Sequence, residues 1–322
     1  MIRRYAAEEG KLLPVGGDAV GGRRVVWYDL FQPTPEEEAL LESRLGVNVP
    51  TREEMEEIEV SSRLYYDDGA VFMTATLPAR TDADRPEMSP VTFVVARDTL
   101  LTVRYHAPQA FHNFPILAEK ISMGCESAES VLVALLEVII DRLADILERA
   151  GRDIDRISHG IFRSDDQKPK SRDFQHVLED IGLKGDLISN VRDSLATLVR
   201  IFGFFAQYTL ERKIERDVRT RLKTLTRDAG SLTDHAEFLS QKTTFLLDAT
   251  LGMINIEQNA TIKIFSVAAV VFLPPTLIAS VYGMNYEHMP ELDWVFGYPF
   301  ALGLMVASAI LPYLYFKRRD WL

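Results

Sequence analysis

The sequence predicts an α/β domain followed by a long α-helical stalk and two C-terminal transmembrane helices. Three observations predict it. Strand-like runs rich in β-branched and aromatic residues crowd residues 23–106, helical periodicity takes over from about 127, and two long uncharged apolar runs close the sequence. Charged residues are 26% of the 322 and fall almost entirely before Lys263, so the near-neutral average hides a strong asymmetry. The net charge of −11 speaks against a nucleic-acid binder, which would normally carry a basic face. A single cysteine, Cys125, excludes an internal disulfide and suits a reducing cytosol. It stands in no CxxC and near no His partner, which predicts core packing rather than reactivity.

Residues 1–125 read as the cytosolic α/β domain. Its strands are expected at 24–28, 70–77, 91–95 and 99–105, where Val, Ile, Thr, Phe and Tyr dominate. Between the first two, Thr34-Pro35-Glu36-Glu37-Glu38 reads as an N-capped helix start with Pro at its first position and acids in its first turn. Residues 126–214 form a helical region. Val131, Leu132, Leu135, Leu136, Val138, Ile139, Leu143, Ile146 and Leu147 recur at helical spacing, and helical patterning resumes near Asp173 after a polar break at 163–169. From 215 to 282 no proline interrupts until Pro274, and glycines stand only at 230 and 252 before the end. As one helix this stalk reaches roughly 90 Å, of which the membrane takes only about 30 Å. Such a stalk either couples the cytosolic domain to the membrane or serves as a plain coiled-coil spacer.

The first apolar run, 264–282, and the second, 295–316, are each uncharged and long enough to cross a hydrocarbon core. Gly297, Gly303, Ala307 and Ser308 suit close helix packing in the second, and Tyr282, Trp294, Tyr313, Tyr315 and Trp321 stand near the ends as interfacial aromatics. The loop at 283–294 has no Lys or Arg, whereas Lys317-Arg318-Arg319 opens the basic tail, 317–322. The positive-inside rule then puts both termini in the cytoplasm and the loop outside. The N-terminus has no apolar signal region, which agrees. The expected location is the cell inner membrane, with the lipid bilayer as a partner.

The first span carries the informative chemistry. Asn259, Ser266, Ala269, Thr276 and Ser280 fall within a sector of about 100° on one helix face, with Ile262, Phe265 and Leu273 on or beside it. Uncharged polar groups alternating with bulky apolar ones fit a pore with a hydrophobic constriction; the same Ser and Thr would also fit packing against the second span. Two spans cannot enclose water, so a pore requires several chains arranged by symmetry. Pro274-Pro275 opens the backbone ladder, Gly283 stands where a left-handed cap is expected, and Asn285 falls at the outer mouth. A ring of Asn285 amides could hold the hydration shell of Mg²⁺ without stripping it. Glu287, Glu291 and Asp293 would concentrate cations there. No Walker-type phosphate loop, nucleophile–base pattern or metal-ligand spacing stands out, so no enzyme and no cofactor are expected.

Tyr282-Gly283-Met284-Asn285 resembles the YGMN signature of the CorA magnesium channels, in the position that family has it, between two C-terminal spans. Met289-Pro290-Glu291-Leu292 resembles the MPEL loop that follows, and the likeness is close from about Leu246 to the end. The resemblance implies a funnel-shaped homopentamer that conducts Mg²⁺ inward and sometimes Co²⁺ or Ni²⁺. It implies Gly283, Met284 and Asn285 as the filter, and Asn259, Ile262, Phe265, Ala269, Leu273 and Thr276 as pore lining. It also implies cytosolic Mg²⁺ sites that hold the channel shut. No N-terminal motif places those sites; Asp82 with Asp84, and Asp228 with Asp234, are the acidic candidates. His288 and Asp293 depart from the aromatic and basic residues expected in close relatives and make the mouth more acidic. The rivals are a Zn²⁺ transporter of the related ZntB branch, against which Met284 and the absence of His or Cys on the stripe speak, and a non-conducting membrane-anchored sensor.

Overall fold

The N-terminal strands open a seven-stranded sheet in the order β2-β1-β3-β7-β6-β5-β4. The computed structural model describes residues 1–16, 24–82, 86–162, 171–285, 289 and 294–319. β1 (Ile2–Glu8) and β2 (Lys11–Pro14) form a hairpin, and β3 (Val25–Phe31) pairs antiparallel with β1 and parallel with β7 (Thr99–Arg104). β4 (Leu64–Asp67), β5 (Ala70–Ala79) and β6 (Glu87–Ala96) complete an antiparallel series with β7. The sequence reading began the strands at 23 and missed the β1–β2 hairpin and β4. β2 and β4 are the two edges of the sheet, and β4 shows only intermediate and exposed residues, so apolar alternation is blurred there.

Helices cover both faces. α1 (Pro35–Leu45), α2 (Arg52–Glu56) and the short α3 (Val60–Arg63) follow β3. Thr34 closes a full capping box with Glu37, and Gly46 ends α1 in the left-handed region at φ 70°, its N–H donating to Glu42 O. Leu41 and Met55 from these helices pack in one cluster with Tyr28, Leu30, Phe72, Val94 and Leu101 of the sheet. On the other face, α4 (Ala110–Lys120) brings Phe114 within 5.4 Å of the Trp27 ring and Phe111 within 6.3 Å of Phe93. A buried polar knot lies among these rings. Arg104 donates Nε and Nη2 to both Asp29 carboxylate oxygens at 2.9 and 2.8 Å, and Thr102 links Asp29 to the Trp27 indole. Cys125 is fully buried, and burial pushes its thiol up to about 12.

α5 (Ala128–Phe162), α6 (Ser171–Glu211) and α7 (Arg216–Tyr282) are long helices tied by cross-helix ion pairs. Arg221 of α7 is bidentate to Glu137 of α5 at 2.8 and 2.6 Å. Lys184 of α6 meets Asp153 of α5 at 2.7 Å, and Arg192 of α6 meets Glu237 of α7 at 3.1 Å. Thr76 N–H donates to the Thr197 hydroxyl at 3.2 Å, joining the sheet to α6. The chain divides into two compact units, one of Met1–Lys168 and His176–Leu247, which holds the sheet, the other of Pro169–Gln175 and Asp248–Leu322. α7 is continuous across that division for 67 residues, and α8 (Gly297–Arg318) follows in the second unit.

Candidate functional site

Two helices, α7 and α8, are long and apolar enough to cross a membrane; their apolar stretches lie in the second unit, and almost none of either is buried within the chain. Phe265, Phe272, Leu273 and Leu277 are each at least 65% exposed, a surface that water would not tolerate uncovered. Trp294 packs its ring against Phe296 and Phe300 at 6.2 and 5.8 Å beside the start of α8, and Lys317 and Arg318 occupy its last turn.

Over Val267–Tyr282, α7 has two distinct faces. Val267, Ala268, Val271, Pro274, Pro275, Ile278 and Tyr282 are buried or half-buried, and every other residue in that stretch is exposed. On a helical wheel the covered residues centre about 170° from the sector of Ala269, Leu273, Thr276 and Ser280. Asn259, Ile262, Phe265 and Ser266 are also exposed. The polar stripe is therefore not what covers α7 within the chain, and packing against the chain's own second span does not account for its Ser and Thr.

Thr276 donates its hydroxyl to the Phe272 and Leu273 carbonyls at 3.0 and 2.8 Å. With its hydrogen directed into the backbone, the hydroxyl offers only lone pairs outward, an acceptor suited to the hydrogens of a cation's water shell. The helix closes with Gly283 N–H donating to Ala279 O at 2.9 Å and Met284 N–H to Val281 O at 3.3 Å. Gly283 is not in the left-handed region, contrary to the expectation from its position. A Cβ there would instead lie 3.0 Å from the Ala279 carbonyl oxygen, so a larger residue would press that oxygen back by a few tenths of an ångström. Met284 and Asn285 follow, both exposed. Glu287, Glu291 and Asp293 lie outside the described residues, as does Asp84.

The acidic candidates of the first unit are not brought together. Asp82 pairs with Arg149 and with Arg142 of α5, and the hydrogen bond from Arg149 holds its carboxyl below the usual range. That carboxylate is already neutralised, which is why it is no open cation ligand. Asp228 and Asp234 are exposed on α7. Among the described residues no group of three or more His, Cys, Asp and Glu side chains stands ready to hold a metal ion. Sequence reasoning missed Asp141 of α5. Its carboxyl is pushed up first by burial and then by Glu137, Asp145 and Asp228, so Asp228 belongs to an acidic patch that spans α5 and α7. Helical spacing of 137, 141 and 145 was a signal for one face, but their facing Asp228 needed the packing.

The chain matches the family described as CorA-like Mg2+ transporter protein over residues 22–318. It belongs to the CorA family. It is 38% identical to the magnesium transport protein CorA of Escherichia coli K12 over 299 residues, 92% of each chain. It is 34% identical to that of Haemophilus influenzae over 323 residues, the whole of both. The CorA magnesium transporter of Methanocaldococcus jannaschii has the same fold, with a TM-score of 0.78 at 19% identity, covering 100% of this chain and 99% of that one. CorA is a transporter family, and membership together with two bare apolar helices makes this chain a membrane protein.

Proposed function

We propose that the chain is one subunit of a homo-oligomeric channel, a pentamer, that carries Mg²⁺ into the cell through the inner membrane with both termini cytoplasmic. The observation that carries the reading is the intact Gly283-Met284-Asn285 at the end of a helix whose polar stripe faces away from its covered side, in a chain alignable over its whole length with magnesium transport proteins. Several copies of α7 arranged about an axis would turn that stripe inward. Asn285 amide oxygens and Thr276 lone pairs would then accept hydrogen bonds from the water shell that Mg²⁺ gives up only reluctantly. Phe265 and Leu273 would form apolar constrictions between the polar rings, able to close by dewetting. Glu287, Glu291 and Asp293 would concentrate cations at the mouth, and Co²⁺ and Ni²⁺ would pass by the same hydrated route.

Cytosolic Mg²⁺ closes the channel in this reading. Asp141 supports it: besides burial, the nearby Asp145 and Asp228 help to push its carboxyl up, and carboxylates that repel one another gain from a divalent ion, whereas Glu137 is bound by Arg221 and Asp82 by two arginines. The test is Mg²⁺ uptake by liposomes holding the purified protein, with and without internal Mg²⁺. Asn285→Ala should cut uptake at least tenfold with the oligomer intact, and unchanged uptake in that variant would overturn the filter.

A further inference from the structure

On the first unit a groove of about 380 Å³ lies between the C-terminal end of α6 and the beginning of α7. Ala206, Leu210 and Leu222 give it an apolar floor, with Leu210 62% exposed. Arg219, Lys223 and Arg227 line its rim at steps of four residues, about 6 Å apart along the helix, and form no ion pair with another described residue. Three cations over an apolar floor fit an acidic segment with an apolar tip.

The same chain carries one. Glu53, Glu57 and Glu59 are exposed and likewise free of ion pairs among the described residues, whereas Glu56 is taken by Arg52 and Glu54 by the cap of Thr51. Between Glu57 and Glu59 stands Ile58, 80% exposed. Arg63 Nε pins the Glu57 carbonyl at 2.6 Å, and Glu57 and Glu59 both have extended, polyproline-like backbone angles. In that conformation two residues advance about 6 Å, the spacing of the cations on α7. The segment cannot serve the groove of its own chain as placed. Val60, which continues it, lies with Thr197 and Arg200, and the Tyr66 ring packs at a tilt against Phe204 at 4.9 Å, so this side meets one face of α6. Ala206, Thr209 and Leu210 project from α6 about 160° away.

We infer that the Glu57-Ile58-Glu59 segment of one copy docks in the Arg219-Lys223-Arg227 groove of the next. Complementary surfaces on opposite faces of one helix give a head-to-tail contact, which closes into a ring when the rotation allows. Ile58 fills the floor beside Leu210, and the carboxylates meet the cations at its rim. The inference rests on the homo-oligomer proposed above.

The experiment uses the full-length protein in detergent. Differently tagged Ile58→Cys and Leu210→Cys chains are co-expressed, oxidised with copper phenanthroline and run without reductant. The native Cys125 is buried and its thiol unreactive. A disulfide-linked hetero-dimer carrying both tags is expected, and a ladder to the full ring from the double variant. Lys223→Glu with Arg227→Glu should lower that yield at least tenfold, and Glu57→Lys with Glu59→Lys should restore it. Native mass spectrometry on the unmodified chain separates the two readings. A stable oligomer with no 58–210 cross-link, or a charge reversal that is not rescued, overturns this contact and leaves the oligomer standing. A monomer overturns both. Cross-linking blocked by inorganic triphosphate, with the oligomer unchanged, assigns the groove to a soluble anion and overturns the contact.

Discussion

Asp141 shows what a single residue costs when its neighbours share its charge. Burial is the larger cause of its raised pKa, and Glu137, Asp145 and Asp228 add to it. A carboxyl whose folded pKa is raised stabilises the fold at low pH, and that contribution is lost as pH rises through the folded value. At neutral pH the ionised group therefore works against folding. Asp141→Asn should raise the melting temperature by roughly 1–3 °C at neutral pH in chelator. The gain should vanish below about pH 4, where the unfolded carboxyl is protonated as well. A variant that melts lower at neutral pH would contradict the repulsion. Gly283 makes the second point at this scale. Its place in the YGMN run was legible in the sequence, but its setting was not: the expected left-handed cap gives way to a position where an added Cβ would lie 3.0 Å from the Ala279 carbonyl oxygen. Gly283→Ala should displace that carbonyl and move Asn285 with it, lowering Mg²⁺ flux severalfold while the protein remains folded and oligomeric by gel filtration.

At the scale of elements, legibility followed burial. β3, β5, β6 and β7 were readable because they are central or nearly so and carry unbroken Val, Phe, Leu and Thr; β2 and β4 are edges, and their apolar period dissolves among solvent-facing residues. Pairings between elements were not readable at all. Asp29 and Arg104 are 75 residues apart and meet only because β3 and β7 run parallel. Asp82 looked like a free acid because Arg142 and Arg149 lie on a helix more than 50 residues downstream. α7 is the opposite case, since helical arithmetic alone put Ala269, Leu273, Thr276 and Ser280 on one side. Cysteine scanning of 267–282 in the proteoliposome checks what that side faces. Ser280→Cys, Thr276→Cys and Leu273→Cys should react with a small charged thiosulfonate and lose flux, whereas Ile278→Cys and Val271→Cys should be at least tenfold slower. Equal rates around the helix would remove the water-lined stripe.

For the whole molecule the deciding quantity is the source of energy. The sequence has no phosphate loop to couple transport to a nucleotide, and a hydrated divalent ion passing along a ring of neutral acceptors exchanges nothing with the protein. In the channel proposed above, accumulation follows the membrane potential alone. Each charge moved across 100 mV is worth about 2.3 kcal/mol, so Mg²⁺ gains about 4.6 kcal/mol, and a factor of ten per 1.4 kcal/mol makes the limiting gradient roughly three orders of magnitude. Proteoliposomes clamped with a K⁺ gradient and valinomycin should therefore fill with Mg²⁺ to a level that rises about 50-fold for each added 50 mV, inside negative, and should reach equal concentrations at zero potential. The calibration uses low external Mg²⁺, so that the proposed closure by cytosolic Mg²⁺ does not intervene before the gradient is reached. Filling that rises only half as steeply in the exponent would mean one net charge per ion, as in exchange for a proton, and would replace the channel with a coupled carrier built on the same fold.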